Sequence, residues 1–78
     1  MPHIVVKLFP GKSEEQKEQL AKEIVKDFVE LLNYKEDTLS VAIEEVPKES
    51  WTNEVYKNEI LPNMDKLYKK PGYDPSKW

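Results

Sequence analysis

Four residues whose types could carry chemistry are spread along the chain: Pro2, Lys12, Ser40 and Trp51. Pro2 is the most unusual of them. A proline is tolerated at the first residue of a strand, where no ladder hydrogen bond needs its N–H. Removal of Met1 would turn the same residue into an amino-terminal secondary amine, a base that no internal residue can supply. The familiar catalytic sets are missing. A Ser–His–Asp set would have to use His3, the one histidine, and no serine lies in a nucleophile elbow. Phosphate-cradling loops need glycine-rich stretches, and the chain has two glycines. The many carboxylates fall beside lysines on helix faces, the pattern of a solvated surface.

The elements that must position these residues are legible in the pattern. His3 to Phe9 reads as a strand, with Ile4, Val6 and Leu8 on one face and Val5 and Phe9 on the other. Two mostly apolar faces predict a strand covered on both sides. Pro10 and Gly11 break it. Ser13 and Gln16 form a capping-box pair, with Glu14 and Glu15 in the first turn. Leu20, Ile24, Phe28 and Leu31 or Leu32 then recur at helical spacing, predicting about five turns ending near Asn33. "DTLSVAIEEV" is the second strand, its Leu39, Val41 and Ile43 alternating with smaller or polar residues. Strand, long helix and strand make a βαβ unit with parallel strands and a right-handed crossover. After Pro47, Val55, Tyr56, Ile60, Leu61, Met64, Leu67 and Tyr68 follow at roughly helical intervals, and Pro62 splits them into two short pieces or kinks one helix. Tyr56, Met64 and Tyr68 could line a pocket or simply pack. "PGYDPSKW" reads as a turn and tail. The fold class is therefore α+β, one domain over residues 1–78.

Pro2 starts the first strand and Lys12 lies just past its other end, a separation of roughly 23 Å for seven strand residues. One copy cannot bring both to a small substrate unless the chain folds sharply back, so joint action needs a second copy. Stability points the same way. A chain of 78 residues buries only about 60–65% of its unfolded surface. Two strands and one helix leave a sheet face and both edges open. With no cysteine there are no disulfides, and one histidine makes a structural zinc site a poor expectation. Oligomerisation is the remaining support. A net charge of −3 argues against a nucleic-acid partner. No apolar run approaches a membrane span and no secretory signal precedes the first strand, so a cytoplasmic location is expected.

The stretches "MPHI", "FPGKSEEQK" and "LSVAIEEV" resemble the 4-oxalocrotonate tautomerase family, whose members begin with a catalytic proline. The segment "PKESWTNEVYKNEILPNMDKLYKKPGY" is similar to its dimeric PptA-type branch, which acts on phenylenolpyruvate-like enols. The resemblance spans roughly residues 2 to 73. It implies a cofactor-free enol–keto tautomerase, with no metal, working on a small 2-hydroxy-dienoate or phenylenolpyruvate-type substrate as a homodimer or a higher oligomer such as a hexamer.

Carried over by position, Pro2 is the general base, exposed by loss of Met1. Such a base needs a pKa near working pH. An apolar pocket and a nearby lysine both disfavour the ammonium form, each unit of lowering requiring about 1.4 kcal/mol. Lys12 stands where the family has a carboxylate-binding arginine, and a lysine keeps the charge but not the bidentate fork. Ser40 replaces a second arginine, which favours a monoacid with an apolar far end over a dicarboxylate. Trp51 matches the pocket aromatic, and serves equally well as an anchor in the core or an interface. His3 is a minor substrate-binding candidate, because a strand residue next to Pro2 points away from it. Two alternatives stay open: a hydratase, dehalogenase or decarboxylase on the same scaffold, disfavoured because arginine is absent, or a non-catalytic oligomeric binding protein.

Overall fold

In the computed structural model, which describes residues 1–78, strand β1 spans His3–Leu8 and strand β2 Ser40–Glu45. The two pair in parallel, from His3 opposite Ser40 to Leu8 opposite Glu45. Helix α1, Glu14–Leu32, connects them. The chain divides into two compact units, Met1–Val46 and Pro47–Trp78.

In the first unit, β1 stops at Leu8, one residue short of the expected end. Pro10 explains the difference. It has no N–H for the ladder and restricts the residue before it, so Phe9 leaves the strand and stays 39% exposed. Gly11 then turns the chain at φ 126°, a conformation that side chains rarely adopt. α1 starts where the capping box predicts. Gln16 N–H donates to Ser13 Oγ at 3.1 Å, and Ser13 N–H donates to Gln16 Oε1 at 3.0 Å. The helix ends at Asn33, which takes the left-handed conformation at φ 59°. Removing the Ser13 hydroxyl leaves a helix N–H without its acceptor. Ser13→Ala is expected to lower stability by about 1 kcal/mol, read by urea unfolding at one fixed protein concentration.

Lys17, Ala21, Ile24, Val25, Phe28 and Val29 form the partly buried stripe of α1, with Phe28 against Tyr34 at 6.2 Å between ring centroids. β2 begins three residues later than expected from "DTLSVAIEEV", because Glu36–Thr38 form a 3₁₀ turn. Thr38 holds that turn, donating from Oγ1 to Lys35 carbonyl oxygen at 2.7 Å. A side chain that bonds its own backbone competes with the sheet ladder. Ile4, Val6, Val41 and Ile43 are partly buried, whereas Val5 is 44% exposed. The expectation of a strand covered on both sides is thus not met within one chain.

The second unit opens with helix α2, Lys48–Trp51, and continues as a wider, π-wound stretch over Thr52–Ile60, where Leu61 N–H reaches back to Tyr56 carbonyl oxygen. Pro62 lies in the first turn of the 3₁₀ segment Leu61–Lys66, and Asn63 leaves helical geometry beside it. The kink predicted from Pro62 is therefore present. A last turn, Pro75–Lys77, is capped by Asp74, which accepts from Ser76 N–H and Oγ.

Val46 and Val55 are the only buried apolar residues, at 8% and 5% exposure, and no large side chain is fully covered. Leu31 at 75% and Leu32 at 58% continue the apolar stripe of α1 into solvent. No helix is long and apolar enough to cross a membrane.

Candidate active site

Pro2 is half-buried and directly precedes β1. Lacking an N–H to donate once inside a chain, it is tied to the sheet through its carbonyl, which accepts from Ser40 N–H at 3.2 Å. The parallel register sets His3 opposite Ser40, and the two side chains meet, His3 Nδ1 to Ser40 Oγ at 2.6 Å. Pro2, His3 and Ser40, separate readings in the sequence, thus converge at the amino-terminal end of the sheet.

Lys12 lies beyond the opposite end of β1. Six strand residues separate the two ends by roughly 20 Å, so one chain keeps Pro2 and Lys12 apart. Lys12 is exposed and lines a cleft of about 200 Å³ with Leu8, Gln16, Lys17 and Leu20. The two lysines differ in their commitments. Lys17 pairs with Glu14 at 2.8 Å and with Glu45 at 3.6 Å. Its hydrogen bond to Glu14, with the charges of Glu14 and Glu45, holds the ammonium above the ordinary lysine range despite some desolvation. With Lys17 held by carboxylates, Lys12 is the cation of this cleft that can meet an incoming anion, while Leu8 and Leu20 offer it an apolar wall. The sequence reads Gln16 as half of a capping box and Lys17 as helix surface, and neither reading shows their place in this cleft.

Trp51 belongs to the second unit. Its indole Nε1–H donates to Tyr73 Oη at 3.0 Å. Tyr73 stacks on Trp78 at 5.5 Å and tilts against Tyr56 at 6.0 Å, and Lys48 Nζ lies 5.4 Å from the Trp78 ring. Trp51 is thus part of an aromatic cluster to which the segment read as a tail contributes Tyr73 and Trp78. Tyr73 and Trp78 were missed as structural residues. Two aromatics in a polar eight-residue stretch were the available signal. Tyr56 is half-buried in this cluster and Tyr68 is fully exposed.

The chain thus sets a proline at the head of its first strand and a lysine just past that strand's other end on a βαβ framework. The model of the tautomerase enzyme family matches residues 2–56, and the chain belongs to that family. It is 47% identical over 75 residues to tautomerase PptA of Cronobacter sakazakii, covering 95% of this chain and 99% of the relative. A probable tautomerase of Xylella fastidiosa is 37% identical, over 94% of this chain and 89% of its own length. The crystal structure of YwhB, a homologue of 4-oxalocrotonate tautomerase, superposes with a TM-score of 0.58 at 32% identity, over 60% of this chain and 77% of that one. The chain is accordingly an enzyme, an isomerase of the tautomerase class.

Proposed function

We propose that this tautomerase converts a 2-hydroxy-dienoate or phenylenolpyruvate-type enol into its 2-oxo tautomer, with the Pro2 nitrogen as the base. The observation that carries the reading is the placement of Pro2, held at the head of β1 through its carbonyl. Met1 is 96% exposed, so an aminopeptidase can reach the bond whose cleavage frees the amine. The neutral amine takes the enol O–H proton while the C=O bond forms, and the resulting pyrrolidinium returns a proton to the substrate carbon. No net electron transfer occurs, so no cofactor is needed.

Lys12 of a second copy holds the substrate carboxylate and the developing oxyanion. The separation of Pro2 from Lys12 along β1 supports a site shared between copies, and the sparse burial of each unit supports assembly as a homodimer or larger oligomer. Ser40 in place of a second cation suits a monoacid with an apolar far end, and Trp51 supplies an apolar wall. The enzyme works in the cytoplasm as one functional domain. The test pairs intact mass with ultraviolet monitoring of phenylenolpyruvate. Protein lacking Met1 is expected to accelerate decay of the enol absorbance. No acceleration of either that substrate or a 2-hydroxy-dienoate by protein shown to begin at Pro2 would reject the reading.

A further inference from the structure

We propose that His3 is a positioning residue for Pro2, acting through Ser40 rather than by contact with substrate. The inference rests on the tautomerase reading above. A base at the very end of a chain has a particular weakness, since terminal residues fray unless they are tied down. Pro2 lies outside the paired residues of β1, and its nitrogen is the base in this reading, so its carbonyl bond to Ser40 N–H is what ties it to the sheet. A two-stranded pair is itself only marginally stable.

The second tie is the 2.6 Å bond between His3 Nδ1 and Ser40 Oγ. It joins the residue after Pro2 to the same residue that holds the Pro2 carbonyl. Ser40 is therefore gripped through backbone and side chain at once, and both grips bear on the first residues of the chain. An imidazole has two rotatable side-chain bonds and makes this link with little loss of freedom. The hydroxyl can donate to a bare Nδ1 or accept from a protonated one, so the tie persists in either form of the ring. Displacements of about 1 Å at a reacting group can cost about a hundredfold in rate. Holding the first residue still is thus a direct contribution to turnover, and it gives Ser40 a role besides vacating the position of a cation.

The test compares His3→Ala, His3→Asn, Ser40→Ala and the double alanine variant in protein beginning at Pro2. Two readouts are taken: steady-state ketonisation of phenylenolpyruvate and amide hydrogen exchange. Asparagine places a polar atom near the position of Nδ1, and Ser40→Ala keeps the backbone bond to Pro2. The expected result is a fall in kcat of about tenfold in either single alanine variant, the upper range for one exposed hydrogen bond, with KM changed less than about twofold. The double variant should be no worse than the singles, and His3→Asn should recover most of the loss. Exchange at Ser40 N–H should quicken in the alanine variants, while Val46 N–H, bonded to Leu8 carbonyl oxygen at 2.8 Å at the far end of the pairing, holds its rate.

Unchanged kcat, a rise in KM at constant kcat, losses that add in the double variant, or faster exchange at Val46 as well would each overturn the positioning role. A wild-type enzyme inactive towards enols would instead defeat the tautomerase reading, and the positioning role with it. An active wild type with an indifferent His3→Ala defeats the positioning role alone.

Discussion

Pro2→Ala is expected to slow enol-to-keto conversion by about a hundred- to ten-thousand-fold, the range of general acid–base contributions. The alanine variant, once processed, still ends in an amine, so the loss measures more than the removal of a nitrogen. Alanine lacks the ring that ties the nitrogen to the side chain and stops rotation about N–Cα, so its amine samples many orientations where the proline nitrogen keeps one. A form that retains Met1 is the sharper case. Its Pro2 nitrogen is an amide without a basic lone pair, and conversion should fall to the uncatalysed rate. Placing a protease-cleavable residue before Pro2 tests this within one preparation: inactive before cleavage, active after it. Full activity in the uncleaved protein would rule out the amine as base, whatever the chemistry of the rest of the site.

The second large effect concerns Lys12. Lys12→Ala should raise KM by about 10- to 100-fold, the equivalent of one hydrogen bond to a charged group, and Lys12→Arg should restore binding because arginine presents a planar fork to a carboxylate. The origin of that lysine can be read by complementation. In the proposed shared site, the roughly 20 Å from one end of β1 to the other keeps Pro2 and Lys12 of one chain apart, and the base comes from one copy and the cation from another. Pro2→Ala and Lys12→Ala proteins, each impaired alone, should therefore recover activity when mixed and allowed to exchange subunits. In a hybrid dimer one site carries both lesions and the other carries neither. With half the dimers hybrid, about a quarter of wild-type activity returns. Mixtures that stay at the level of the separate variants would show that base and cation act within one chain, or that Lys12 has no part in binding.

Much of this architecture was legible from local pattern. The period-2 alternation of Ile4, Val6 and Leu8, the Ser13–Gln16 capping box, the helical stripe through Ile24 and Phe28, and the stop at Asn33 each depend on residues a few positions apart, and each is found where expected. The break at Pro62 follows from the missing N–H of one residue. Pro2 stood out because its ring and its place in the chain are visible without coordinates. Strand boundaries shifted for local reasons: Thr38 bonds Lys35 and delays β2, and Pro10, without an N–H, ends β1 before Phe9.

What only the tertiary structure decided lies between residues far apart in the chain. His3 and Ser40 are separated by 37 positions, and nothing in either neighbourhood names the other. Their meeting is set by the parallel register, which depends on the length of α1 and of the turns at either end. The same holds for Trp51, bonded to Tyr73 across 22 positions, and for the cleft that gathers Leu8, Lys12 and Leu20 from a strand, a turn and a helix. Side-chain type and spacing specify which elements form, because those choices rest on short-range sterics and hydrogen bonds. Which side chains then share a site is a matter of register and packing, and those exist only once the elements have met.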